Sequence, residues 1–190
     1  MKPTPDSNRR LLLRGATLAL AGAPLFARGA PLVPSLLQSD GATPALRLRH
    51  LHTRETLEVA ADAVQAHRPG LLAALNRFLR DHYSGMQGTM DPGLLDQLRS
   101  LQHLLATDGT IEVISGFRST ETNERLRRRG GGGVATRSLH LQGRALDLRM
   151  EGIPLARLRD AALELQAGGV GFYPESNFVH IDTGRVRRWG

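Results

Sequence analysis

Three residues in the C-terminal half of the chain are of types that bind a metal ion. His140 and Asp147 lie in Ser138-Leu139-His140-Leu141-Gln142-Gly143-Arg144-Ala145-Leu146-Asp147, and His180 lies in Asn177-Phe178-Val179-His180-Ile181-Asp182. Two imidazoles and a carboxylate are the donors of a zinc site with three protein ligands, in which the fourth position stays open for water. That open position separates a catalytic zinc site from a structural one. The chain contains no cysteine, so neither a disulfide framework nor a thiolate site is available, and any metal must be held through nitrogen and oxygen.

Strand alternation lets these donors meet. Residues 143–150 read as a strand with Ala145, Asp147 and Arg149 on one face and Leu146, Leu148 and Met150 on the other. Residues 178–183 read as a second strand, with Phe178, His180 and Asp182 opposite Val179, Ile181 and Thr183. The greasier faces can pack on helices while Asp147 and His180 face a cleft. His140 precedes the first strand, and Gly143 allows the bend that folds its imidazole back.

The remaining segments supply the frame. Residues 46–51 alternate apolar and basic side chains and pair with residues 56–59 as a hairpin. Pro69 opens a helix with Leu71, Leu72, Leu75, Phe78 and Leu79 at helical spacing, and Asp91-Pro92 starts another. Residues 110–115 read as a strand, and Ser119 or Thr120 caps a helix that runs to Arg129. Gly130 to Gly133 cannot hold a helix and reads as a loop or a lid bordering the cleft. It lacks the following Lys-Ser/Thr of a phosphate loop. A helix over 154–166 and short strands at 170–172 and 186–189 complete an α+β single domain with a mostly antiparallel sheet packed on helices. His50 and His52 share a strand face, but no third ligand stands nearby in sequence, so the pair reads as structural.

The pattern Ser138-x-His140-x-x-Gly143-x-Ala145-x-Asp147, with His180 on a later strand, resembles that of the zinc metallopeptidases typified by lysostaphin, D-Ala-D-Ala peptidases and sonic hedgehog. More closely, the stretch from Leu46 to Trp189 is similar to the MepK-like murein endopeptidases. The shared motifs include Leu75-Asn76-Arg77-Phe78-Leu79-Arg80-Asp81-His82, Ser115-Gly116-Phe117-Arg118-Ser119 and Phe178-Val179-His180-Ile181-Asp182-Thr183-Gly184. The resemblance implies a hedgehog- or D-Ala-D-Ala-peptidase-like fold and zinc-dependent cleavage of peptide bonds in peptidoglycan. It assigns zinc to His140, Asp147 and His180, and places Arg118 where an arginine assists the transition state.

The proton-accepting group departs from the pattern. Relatives use a Glu three residues before the last histidine or a His two before it, and Asn177 and Phe178 stand at those places. Asp182, on the face of His180, is the first candidate for general base, and Glu175 is the second. The bland alternative for Asp182 is a carboxylate that orients His180. Three functions stay open: a zinc endopeptidase on murein cross-links, a carboxypeptidase or dipeptidase acting on D-amino-acid termini, and a non-catalytic zinc-containing module that binds peptidoglycan.

The net charge of +7 would fit a nucleic-acid partner, but residues 1–30 alone carry a surplus of +4, leaving +3 downstream. With aromatics at 4 %, no base-stacking platform is expected, and nucleic acid is set aside as a partner. Within residues 1–30, Ser7-Asn8-Arg9-Arg10-Leu11-Leu12-Leu13 and the apolar run from Ala16 to Phe26 read as a twin-arginine signal peptide. That run is too short to span a bilayer, which takes about 20 residues. Residues 31–44 read as a linker and 45–190 as the zinc metallopeptidase domain, working in the periplasm or cell envelope without stable membrane insertion. Replacing both Arg9 and Arg10 by Lys should leave the protein in the cytoplasm with its signal uncleaved. Fractionation that recovers the variant normally from the periplasm would disprove the twin-arginine route.

Overall fold

The alternating apolar and basic residues of β1 (Leu46–His50) bury Leu46, Leu48 and His50 and expose Arg47 and Arg49. In the computed structural model, which describes residues 45–60, 69–129 and 134–190, β1 pairs antiparallel with β2 (Thr56–Val59), as the hairpin pattern predicts. Helices α1 (Pro69–Phe78) and α2 (Gly93–Leu104) then carry the chain across to β3 (Ile111–Ser115), which lies parallel to β1. Asp91 accepts the N–H of Gly93 at 2.9 Å and Pro92 has helical torsions, so the Asp-Pro pair starts α2 as expected.

Helix α3 (Thr120–Arg128) is capped by Ser119, whose side chain accepts from the N–H of Thr122. A single 3₁₀ turn (Leu139–Gln142) precedes β4 (Ala145–Met150), followed by α4 (Leu155–Leu165), β5 (Gly169–Tyr173), β6 (Phe178–Asp182) and β7 (Arg187–Trp189). The seven strands form one mixed sheet in the order β2-β1-β3-β4-β6-β5-β7, antiparallel except for the β1–β3 and β5–β7 pairs. Helix and strand segregation is that of an α+β fold. Leu146, Leu148, Val179 and Ile181 join Leu94, Leu98, Leu101 and Leu158 in one apolar core.

Two local departures from the regular pattern shape the centre of the sheet. The 3₁₀ turn takes the first residues of the stretch expected as strand, and Gly143 ends it at φ 66°. A Cβ at Gly143 would stand 2.0 Å from the carbonyl oxygen of Thr89, so only glycine lets the turn lie this close. Between Val113 and Ser115 the β3–β4 register shifts: Val113 faces Leu148, yet Ser115 faces Asp147. This bulge puts Ser115 on the face of Asp147 instead of the core face. The expected signal, linker and Gly130–Gly133 lid lie outside the described residues.

At the other end of the sheet, His50, His52 and His82 cluster, with the His52 and His82 rings stacked at 4.1 Å. His50 is fully buried, and its Nδ1 accepts the N–H groups of His52 at 3.2 Å and Thr53 at 3.4 Å. Burial, then the neighbouring His52 and Arg80 charges, push its pKa down to about 4. Burial, then His52 and His50, push His82 down to about 4 as well. The folded values lie below the unfolded one, so the unfolded chain binds more protons in this range. Their stabilisation is complete above about pH 6.5 and is lost as the pH falls towards 4. Denaturant titrations should show stability falling over that interval, by roughly 1–3 kcal/mol for His50 alone. The fall should be smaller in His50→Asn, whose amide oxygen can still accept both N–H groups, and equal slopes would exclude this account.

Candidate metal centre and active site

His140, Asp147 and His180 come together where the 3₁₀ turn, β4 and β6 meet. Asp147 and His180 are direct cross-strand partners, as strand alternation predicts. The three residues are almost completely buried, and their donor atoms converge. His180 Nδ1 lies 2.8 Å from Asp147 Oδ1, and His140 Nε2 lies 3.2 Å from each of them. A tetrahedral site with bonds near 2.0–2.2 Å needs donor separations of roughly 3.3 Å, close to these.

The outer partners decide which atoms point inwards as lone pairs. His140 Nδ1 lies 2.7 Å from the carbonyl oxygen of Gly116, which can only accept, so Nδ1 donates and Nε2 is bare. His180 Nε2 lies 3.2 Å from Asp182 Oδ2, so it donates there and turns Nδ1 inwards. Two inward imidazole nitrogens and a carboxylate oxygen thus face one another, with nothing but a shared proton between them when no ion is bound. That arrangement needs positive charge at its centre. Its pull is visible in the titration of the group. Burial alone would lower the pKa of His180, but its bonds to Asp147 and Asp182 raise it to about 9. Asp147, which burial would raise, is held far below the usual carboxylate range by His140 and then His180. His140 is lowered, by burial first.

Arg118 completes one wall. Its Nη2 donates to Asp147 Oδ2 and Ser115 Oγ at 3.4 Å each, and Nη1 reaches Asn123 Oδ1 at 3.5 Å. Its backbone N–H bonds the His140 carbonyl at 3.1 Å. Buried Asp81 fixes the next residue, accepting the Ser119 N–H at 2.9 Å and its hydroxyl at 2.7 Å. A cavity of about 650 Å³ opens over the cluster, with Arg118 on the β3 side and Tyr173, Phe178 and Trp189 on the β5–β7 side. Trp189 Nε1 donates to Tyr173 Oη at 2.8 Å, and its ring centre lies 5.2 Å from that of His180. Gly171 leaves room for it, since a Cβ there would stand 2.7 Å from the indole.

Comparison with known proteins decides the family. The sequence model of the family described as peptidoglycan L,D-endopeptidase MepK matches residues 38–189. The chain is 45 % identical to the peptidoglycan L,D-endopeptidase MepK of Escherichia coli K12 over 187 residues, covering 97 % of this chain and 98 % of that protein. It is 38 % identical over 190 residues to the probable peptidoglycan L,D-endopeptidase MepK of Haemophilus influenzae, covering 97 % of this chain and 96 % of that protein. The chain belongs to the MepK family. It is therefore a peptidase.

Within this MepK-family chain the other predicted residues divide. Arg118 lies beside the cluster as expected. Asp182 does not face the cavity: it is fully buried on the far edge of His180. Its Oδ1 also accepts the N–H groups of Gly169 at 2.9 Å and Gly184 at 2.8 Å, and Arg187 donates to Oδ1 at 3.0 Å and Oδ2 at 2.7 Å. Burial would raise its pKa, but His180 and Arg187 hold it well below the usual range. Both oxygens are committed, so the expectation that Asp182 accepts a proton from the cavity is corrected. Two residues apart on a strand means the same face, but it does not mean the same side of an imidazole. Glu175 is exposed in the turn between β5 and β6, and its side chain does not line the cavity. The sequence reading missed Asp81, Ser115, Arg187 and Trp189 as site-shaping residues. The pairing of Arg187 with Asp182 had a faint signal in the opposite charges five residues apart. Asp182→Ala strips partners from Arg187, His180 and two backbone N–H groups, so chemical denaturation should show a loss of about 3 kcal/mol. A loss below 1 kcal/mol would show that these bonds hold little.

Proposed function

We propose that this protein is a zinc-dependent peptidase that hydrolyses peptide cross-links or stem peptides of peptidoglycan in the periplasm or cell envelope. The observation that carries the metal assignment is the convergence of three donor atoms, His140 Nε2, His180 Nδ1 and Asp147 Oδ1, at the floor of an open cavity. Two nitrogens and one oxygen at these separations suit zinc with one position left for solvent or substrate. Support for the substrate comes from the family, whose relatives are named peptidoglycan L,D-endopeptidases. Residues 1–30 are read as the export signal. Among the described residues no helix is long and apolar enough to cross a membrane.

The roles of the chain's own groups follow from their positions. His140 is held by the Gly116 carbonyl with Nε2 inwards, and Asp182, fixed by Arg187, turns the Nδ1 of His180 inwards. Zinc, when bound, supplies Lewis acidity toward a scissile carbonyl and a water molecule. The Arg118 guanidinium is placed to hold negative charge that develops on the carbonyl oxygen. Tyr173, Phe178 and Trp189 offer an uncharged wall against which the peptide lies. Asp182 acts as a positioning residue, and the exposed side chain of Glu175 has no part in the proton transfer.

Digestion of purified sacculi by the zinc-loaded protein should reduce cross-linked muropeptides without releasing free D-amino acids. Release of a terminal D-amino acid would make it a carboxypeptidase or dipeptidase, and binding without products a non-catalytic module. In the same assay His140→Ala should lose both metal, by elemental analysis, and activity. Arg118→Ala should keep metal but slow turnover roughly 100-fold. Asp182→Asn should weaken zinc affinity roughly 10–100-fold, whereas Glu175→Gln should keep near-native turnover. A large rate loss in Glu175→Gln would return the base role to that residue.

A further inference from the structure

The cavity has a charge imbalance that the metal centre does not require. Arg118, Arg137 and Arg187 all line it, and among the described residues the only carboxylate in its wall is Asp147. Arg118 is paired with Asp147, and Arg187 is paired with Asp182. Arg137 is exposed and has no ion-pair or hydrogen-bond partner among the described residues. Its surplus charge is also well placed. The segment that carries it is tied to α3 by the Asn123 amide donating to the Ala135 carbonyl at 3.2 Å. It runs directly into Ser138 and the 3₁₀ turn that presents His140. Arg137 therefore stands on the rim within three residues of a cluster donor, on the side of Arg118, while the β5–β7 side carries Tyr173, Phe178 and Trp189 with the Arg187 charge committed to Asp182.

An unneutralised guanidinium beside a partly enclosed site raises the local concentration of anions, and its planar fork matches a carboxylate. We propose that Arg137 is a specificity-determining residue that pairs with a free carboxylate of the substrate close to the scissile bond. The site then selects anionic peptides over otherwise identical peptides in which that carboxylate is an amide. The assignment rests on the peptidase reading above. Peptide bonds leave some carboxylates free in a cross-linked stem peptide, and one next to the scissile amide is the group Arg137 can reach while the carbonyl lies over the cluster. A surface pair is weak when fully solvated, but the cavity wall excludes part of the solvent and reduces that screening.

The test uses two cross-linked peptides that differ only in a free carboxylate or a carboxamide beside the scissile bond. Each is also made in an N-methylated, uncleavable form for titration calorimetry. Wild-type protein should bind the free acid roughly 10-fold more tightly than the amide, and its KM values should differ by the same factor while kcat stays similar. In Arg137→Gln that difference should collapse, and in Arg137→Lys part of it should return. Arg157→Gln, which removes an exposed charge on α4 away from the cavity, should keep the wild-type preference. Equal wild-type affinity for acid and amide, or a preference that survives in Arg137→Gln, overturns the assignment. A carboxylate preference that depends on Arg137 with no cleavage of either cleavable peptide would sustain it and overturn the peptidase reading instead.

Discussion

Three electron-rich atoms held within 3.2 Å of one another in a nearly dry setting are the constraint around which the rest of this protein is organised. Such a cluster is repulsive unless positive charge sits at its centre, and it scatters unless each member is anchored from outside. The fold supplies the anchors. A backbone carbonyl fixes one imidazole, a buried carboxylate fixes the other, and an arginine steadies the carboxylate between them. Each anchor has its own support: Asp81 beneath the Arg118 segment, Arg187 behind Asp182, and the Gln97 amide on the Asp182 carbonyl at 3.0 Å. The buried polar network is satisfied at nearly every position, which is the condition for it to specify one geometry.

Much of this was legible in sequence because it follows from periodicity and turn chemistry. Alternation placed Asp147 and His180 on one side of neighbouring strands, and cysteine-free composition confined the donors to nitrogen and oxygen. Family resemblance extended that reading to Arg118. The order of strands in the sheet was beyond reach, since β1 and β3 are parallel neighbours separated in sequence by β2 and, among the described residues, two helices. So was the shift of register at Val113–Ser115. A bulge changes which face a residue occupies without leaving a mark in composition, and here it converts Ser115 from a core position to a partner of Arg118.

Asp182 shows where periodicity stops being sufficient. Its face was read correctly and its surroundings were not. An imidazole has two edges, and a carboxylate two residues along the strand meets the outer one. What settled its environment were groups from β5, β7 and the loop at Gly184, none of which the strand pattern could supply. The aromatic wall has the same origin: Trp189 reaches His180 because β7 folds back parallel to β5 and Gly171 leaves space beneath the indole.

The position of β7 carries a consequence for how the protein fails. It is a three-residue strand at the sheet edge, joined among the described residues to β5 alone, yet it contributes both the guanidinium that fixes Asp182 and the indole beside His180. Edge elements open at far smaller free energies than cores. Fraying there would release the second imidazole from its guide while the apolar interior stayed packed. Loss of competence on heating is therefore expected to begin at the margin of the sheet, ahead of melting of the leucine-rich body.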